Sequence, residues 1–523
     1  MNKNNKMSRS YNSIKNILFG GLGHIVSLTL EFIVRTVFIY KLSQEYLGIN
    51  GLLVSILSVL SISELGIGTA ITFALYEPIA KSDFDKISQL MCLYKKCYRF
   101  IGLAVLIIGL AIIPIVPMIV DEPSIDIDIT IIYLLFLGES CSSYLFFSYK
   151  NAFLIANQEV HIVSFVKMIV QILKAILRIL ILLFLNQNKN FCFYLYSMVG
   201  ILCTIVTNII ISTIVDKLYP YVNDFRGELD KREKQKIFKN VVALSLDKIS
   251  YVMNSSADNI IITKFVGLIA NGIYSNYSLI VSSITTGIGI ISTSLVAGIG
   301  NLNAIETKAK KEDFFNKLRF FYAWLYGELY IGMYCLINPF IAFIWGESNL
   351  LSQITVFAIL LNFLTSGLIG ALVDYRDACG VYWENRFVPL ICAGLNILLS
   401  LLGAGLFNMG IMGILLATTV SRTIVVFPYY SKVIFNKIFE KSAKGYMVTT
   451  IVIAISIIIG GNIMLYICSL VTSSGIKGLI IKFILCAFLP NMVICLAFFK
   501  NKNFSYWVKK ILSIIRRKTV EKC

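Results

Sequence analysis

Charged side chains stand in this sequence where everything around them is apolar. Glu31 and Arg35 lie four residues apart in one apolar run, and so share a helix face. Glu64 falls in Ser63-Glu64-Leu65-Gly66-Ile67-Gly68, and Glu139, Glu328 and Arg422 are each central in a further run. Asp258 lies six residues before Lys264. A charge at the middle of a bilayer costs roughly 2.5–3.5 kcal/mol on insertion scales, so it normally faces a partner or a wet cavity. Lys174 and Arg178 pose the sharpest case. They are like charges stacked on one face, and no acid lies within a turn of either. They require anions from elsewhere, either acids on another helix or an anionic ligand.

Arginine presents a planar fork that can hold a phosphate with two hydrogen bonds. Arg35, Lys174, Arg178 and Arg422 are therefore expected to form a cationic cavity for a phosphate-bearing group. A carboxylate in such a cavity can carry a proton or a small cation. Glu64 and Asp258 are the expected coupling-ion sites, and Glu31 is either another or the intrahelical ion-pair partner of Arg35.

The elements that must position these charges are membrane spans. Of 523 residues, 57% are hydrophobic and only 15% are charged, against roughly 25% charged in soluble domains. That excludes a soluble enzyme, a disordered chain and a nucleic-acid-binding domain. Apolar runs long enough to cross a bilayer are expected at 12–40, 47–77, 88–120, 128–156, 159–186, 190–218, 240–265, 269–301, 311–345, 350–375, 385–407, 409–436, 445–471 and 474–500. The fold class is an all-α integral membrane protein of about 14 transmembrane helices. The polar stretch after the sixth span divides it into a six-helix lobe (1–218), a cytoplasmic linker (219–239), a second six-helix lobe (240–436), two further helices (437–500) and a basic tail (501–523).

The net charge of +18 reads as topology. With the N-terminus inside, 37 of the 47 Lys and Arg fall on cytoplasmic loops and termini, and four (Lys41, Lys189, Lys264, Lys477) fall on the opposite side. The positive-inside rule supports that orientation, so a multi-pass protein of the cytoplasmic membrane with both termini in the cytoplasm is expected. The 12 Cys are scattered without C-x-x-C, and His24 and His161 are the only histidines. No metal site, catalytic triad or cofactor is expected.

A weak internal repeat relates the two lobes. Phe38-Ile39-Tyr40-Lys41-Leu42 with Gly48-Ile49 aligns with Ile261-Ile262-Thr263-Lys264-Phe265 with Gly272-Ile273 after a one-residue gap. Six helices per copy would keep both copies in one orientation, related by an axis along the membrane normal. Two such lobes could enclose a cavity that opens alternately to each side.

Three segments carry a resemblance to a family: Arg35-Thr36-Val37-Phe38-Ile39-Tyr40-Lys41-Leu42, Tyr46-Leu47-Gly48-Ile49-Asn50-Gly51-Leu52, and Glu64-Leu65-Gly66-Ile67-Gly68-Thr69-Ala70-Ile71. With Tyr76-Glu77-Pro78-Ile79-Ala80 and Ala257-Asp258-Asn259-Ile260-Ile261-Ile262, they resemble bacterial polysaccharide-unit flippases, the O-antigen and capsule repeat-unit transporters. The wider superfamily includes MATE-type multidrug antiporters and the lipid II flippase. The resemblance implies a MATE-like two-lobed bundle working by alternating access. It implies that undecaprenyl-pyrophosphate-linked oligosaccharide is moved from the cytoplasmic to the outer leaflet. Implied partners are that lipid-linked oligosaccharide, membrane lipid, a coupling H+ or Na+, and the polymerase and glycosyltransferases of polysaccharide assembly. In the lipid II flippase branch the last two helices add a lipid-facing groove, matched here by the last two spans in number. Two alternatives remain. A drug/cation antiporter of this fold would prefer an acidic cavity. A membrane polysaccharide polymerase or ligase typically carries a large outward loop, and no such loop is expected here.

Overall fold

The computed structural model describes residues 3–61, 67–120, 125–185, 187–223, 229–379, 381, 385–473 and 475–510. Glu64, expected to hold a coupling ion, lies outside the described residues. Among those residues the chain is all helix, as it must be where no water can satisfy the backbone. The helices are α1 (Lys3–Lys41), α2 (Gln44–Leu60), α3 (Ile67–Lys81), α4 (Phe84–Ile112), α5 (Val116–Ile119), α6 (Ile129–Leu145), α7 (Tyr149–Ala156), α8 (Val160–Phe184), α9 (Lys189–Leu218), α10 (Lys231–Phe265), α11 (Leu268–Ile305), α12 (Lys308–Trp345), α13 (Gln353–Cys379), α14 (Val388–Leu401), α15 (Gly410–Ser421), α16 (Phe427–Ile434), α17 (Lys444–Ser469) and α18 (Gly475–Phe498).

The expected span 47–77 holds α2 and α3, 88–120 holds α4 and α5, 128–156 holds α6 and α7, 409–436 holds α15 and α16, and each other expected span holds one helix. Eight rods among the described residues are long and apolar enough to cross a membrane, nine with the bent α6–α7 pair. The protein is a multi-pass membrane protein. Starts are set by local chemistry where loops permit. Asp83, Asp128 and Asn188 accept from backbone N–H groups in the first turns of α4, α6 and α9.

The chain divides into two compact units, Met1–Ser275 and Asn276–Cys523. In the first, α8 packs along α1 and α9, and α6 packs on α4 and α9. Its core is aromatic where α1, α2 and α9 meet: the Phe38 ring lies edge-on to Phe193 and Tyr196, and Tyr46 edge-on to Phe193. α10 packs on α2 and α3, so the helix expected to open the second lobe is grouped with the first unit by its contacts.

The aligned glycines of the repeat touch. A Cβ on Gly48 would lie 2.1 Å from the carbonyl oxygen of Leu268, and one on Gly272 would lie 2.3 Å from that of Gln44. The contact is reciprocal: in the same alignment, Gln44 is the counterpart of Leu268. Asn271 adds a hydrogen bond from its amide to the Gly48 carbonyl, 3.2 Å long.

In the second unit α12 is the central rod, packed by α13, α17 and α18. Glu328, central in α12, accepts from the Asn491 amide of α18 at 2.8 Å, and Asn491 accepts in turn from the Trp324 indole at 2.9 Å. Three wide π-helical turns, Leu402–Leu406, Arg422–Val426 and Phe435–Phe439, interrupt the later rods. The expected basic tail begins as helix at 502–510. There Trp507 is buried, stacks on Phe321 and donates to the Lys317 carbonyl at 2.8 Å. Its first turns are thus anchored on α12 by aromatic burial.

Candidate functional site

The fourth rod breaks between α6 and α7, with a bend of 49°. No proline or glycine stands in Leu145-Phe146-Phe147-Ser148. The turn is made instead by Phe147 in the left-handed region, at φ 55°. Lys150, buried one turn further on, ties the new direction to α9 through Asp216 (2.5 Å) and the Ser212 hydroxyl (2.9 Å). Broken backbone at membrane depth is tolerated where it is buried in protein or lines a water-filled cavity.

Such a cavity opens at the break, with a volume of about 680 Å³. Its wall is polar. Ser143, Ser148 and Asn151 come from around the break, His24 and Ser27 from α1, Tyr98 from α4, and Thr204, Thr207 and Asn208 from α9. α8 supplies Lys167, Gln171 and Lys174, which are four and then three residues apart and so lie along one face. This hollow belongs to the first unit alone.

Lys174, a sequence-predicted site residue, lines the hollow and meets an acid from another helix. Its Nζ lies 2.9 Å from Glu139 Oε1, with side chains 19% and 28% exposed. Glu139 reaches it by lying across Gly200 of α9, where a Cβ would stand 2.2 Å from Glu139 Oε2. Gly200→Ala should therefore push the carboxylate off its lysine. The expected cost is about 1–3 kcal/mol, read as a lower melting temperature of the detergent-solubilised protein.

Lys167 was missed by sequence reasoning. It is exposed to the hollow, and no described hydrogen bond or ion pair involves it. The cavity thus carries one cation neutralised by Glu139 and one without an acid among the described residues. A signal was present: Lys167 and Lys174 are seven apart, two helical turns.

The other predicted residues have different surroundings. Arg178 turns from the hollow to Tyr196, with its guanidinium 4.2 Å from the ring centroid and its Nε donating to the Tyr196 carbonyl at 3.3 Å. Arg35 is half-buried on α1 and donates from Nη2 to the Ser275 hydroxyl at 2.8 Å, while its Nε has no described partner. Glu31, four residues earlier, is exposed. Asp258 is buried on α10, and its neighbour Asn259 donates to Ser55 of α2 at 2.9 Å. Arg422 belongs to the second unit. It opens a π-helical turn, and its Nη1 donates to the side-chain oxygen of Asn362 at 2.6 Å and to that residue's carbonyl at 3.2 Å.

The second unit holds a larger, apolar cleft of about 1120 Å³ between α12, α17 and α18. Ile331, Val452, Ile457, Ile463 and Val493 line its depth, and Asn316, Arg319, Asn501 and Lys502 stand at one end. Asp313 stands at that end too, and Thr449 and Ser456 interrupt the mostly apolar walls.

Solved structures share this arrangement of helices. The lipid II flippase MurJ in an inward closed conformation gives a TM-score of 0.64 at 14% identity, covering 93% of this chain and 99% of that one. An inward-facing multidrug resistance transporter of the MATE family, MOP superfamily, gives 0.59 at 12% identity, with coverages of 86% and 100%. A mutant of the Vibrio cholerae MATE transporter VcmN gives 0.56 at 13% identity, with coverages of 83% and 100%. No family model and no curated protein matches the sequence. The chain therefore has the MATE-like fold, as the sequence led us to expect.

Proposed function

We propose that the protein is a flippase for undecaprenyl-pyrophosphate-linked oligosaccharide repeat units, moving them from the cytoplasmic to the outer leaflet for surface polysaccharide assembly. The observation that carries this reading is the pair Lys167 and Lys174 on one face of α8, in a polar hollow of about 680 Å³. A cation with no acid beside it, inside an apolar bundle, is stabilised by an anionic ligand. Serine, threonine and asparagine walls supply donors and acceptors for sugar hydroxyls. Arg35, Arg178 and Arg422 are proposed to join the head-group path during alternation, and Asp258 and Glu64 to hold the coupling H+ or Na+. Two negative charges carried outward across an inside-negative membrane would gain about 4–5 kcal/mol per 100 mV, so the potential itself favours export.

A drug/cation antiporter shares the fold, but an unneutralised lysine in the cavity repels a cationic drug. Replacing Lys167 by Gln separates the readings. Because Lys167 has no described partner, the variant should fold and melt as the wild type does. Its flipping of a fluorescent lipid-linked oligosaccharide in proteoliposomes should fall at least about tenfold, equivalent to about 1.4 kcal/mol. Undiminished flipping would remove Lys167 from the head-group site. Efflux of a cationic dye by the wild type, with no lipid flipping, would favour the antiporter.

A further inference from the structure

Cys335, Cys468 and Cys486 come from α12, α17 and α18 and meet in the interior of the second unit. All three are buried, and their Sγ atoms lie within 4.8 Å of one another, with Cys468 and Cys486 3.7 Å apart. The spacing along the chain hides them, since no two are close in sequence. Their position is specific. Cys335 lies one turn beyond Ile331 and Cys468 follows Ile467, where the cleft lining of α12 and α17 stops. Cys486 lies just before the lining of α18 begins at Leu489. The thiols thus close the cleft at the end opposite Arg319 and Lys502.

From this convergence we propose that the three cysteines form a binding site for a monovalent soft metal ion, Cu(I), at the closed end of the apolar cleft. Sulfurs bound at about 2.3 Å around one ion stand about 4 Å from each other, which the observed distances bracket. Thiolate ligands select Cu(I) and Zn(II) among biological metals. Zinc in structural sites is almost always held by four ligands, and among the described residues this group holds three donors. The thiolate is the metal ligand, so on binding each ligating S–H bond breaks, its proton leaves to water, and no electron is transferred. α17 and α18 pack on α12 more than on each other, so the ion would join three rods where the cleft ends.

The test uses the full-length protein, purified in detergent, reduced and free of oxygen, and titrated with Cu(I) against a colorimetric chelator. The expected result is one Cu(I) per chain and an X-ray absorption shell of three sulfurs at about 2.3 Å. Each of Cys335→Ser, Cys468→Ser and Cys486→Ser should weaken binding at least about tenfold, equivalent to about 1.4 kcal/mol, while Cys495→Ser should not. Cu(I) should also raise the melting temperature of the wild type but not of the triple variant, a readout that needs no transport activity and no mutant alone. Three results would overturn the proposal: no Cu(I) retained by the wild type, equal retention by the triple variant, or a Cys468–Cys486 disulfide in protein kept reduced throughout. Zn(II) retained in preference to Cu(I) would overturn the assignment of the ion.

Discussion

Lys174→Met should both destabilise the protein and abolish flipping, and adding Glu139→Gln should restore stability but not flipping. The two losses have different causes. Removing the lysine leaves the Glu139 carboxylate, 2.9 Å from the missing Nζ, without its counter-ion in a place of low dielectric. Breaking one side of a fully buried pair costs 3–5 kcal/mol. Here Lys174 lines a polar hollow and the two side chains are 19% and 28% exposed, so about 2 kcal/mol is the expected penalty. Neutralising Glu139 as well removes the stranded charge, so the double variant should melt within about 1 kcal/mol of the wild type, since replacing both partners of a buried pair is often near neutral. On the proposed function flipping depends on the cation, and neither substitution returns it. A double-mutant cycle on melting temperature, run beside a proteoliposome flipping assay, checks both halves. Recovery of flipping in the double variant would mean that Lys174 serves only to hold Glu139.

Much of this organisation is legible in the sequence, and the limits have physical causes. Fourteen expected spans follow from hydropathy because a chain in lipid has few ways to satisfy its backbone. The prolines that might have ended helices (Pro78, Pro339 and Pro490) stay inside them. The break that opens the cavity is illegible: Phe146 and Phe147 are not breakers, and the bend is held by Lys150 and Asp216, 66 residues apart. Lys167 is hidden by topology. Near the cytoplasmic end of its span it counts as another positive-inside residue, and only the helix start at Val160 places it two turns in and on the face of Lys174. The repulsion between Lys174 and Arg178 does require anions from other elements. Glu139 answers for Lys174. For Arg178 the answer is a carbonyl and an aromatic face, which no charge pattern reveals. The thiol group is invisible for the same reason, since its members share a site only after α12, α17 and α18 pack.

Gly48→Ala and Gly272→Ala should each sharply destabilise the first unit. The added carbon at 48 would lie 2.1 Å from the Leu268 carbonyl oxygen, and that at 272 would lie 2.3 Å from the Gln44 carbonyl oxygen and 3.1 Å from the Gly48 nitrogen. These obstacles are backbone, so no rotamer change relieves them. α2 would have to separate from α11 and give up the Asn271 hydrogen bond to Gly48. Overpacking costs typically 1–3 kcal/mol where side chains can move, and more than about 3 kcal/mol is expected where they cannot. The readout is the fraction recovered as monodisperse protein after solubilisation, expected to fall at least fivefold. Gly394→Ala, which meets nothing within 4 Å, is the control that should behave as wild type. The expectation reaches beyond one contact because the pair is reciprocal. When a two-fold axis relates two copies of a unit, a residue beside the axis meets its own counterpart, and contact i to j is repeated as j to i. Gly48 over Leu268 and Gly272 over Gln44 have that form, at the positions a faint sequence alignment pairs. Equal losses from the two alanines would fit an axis running between them. Wild-type melting in both would leave the repeat a coincidence of composition.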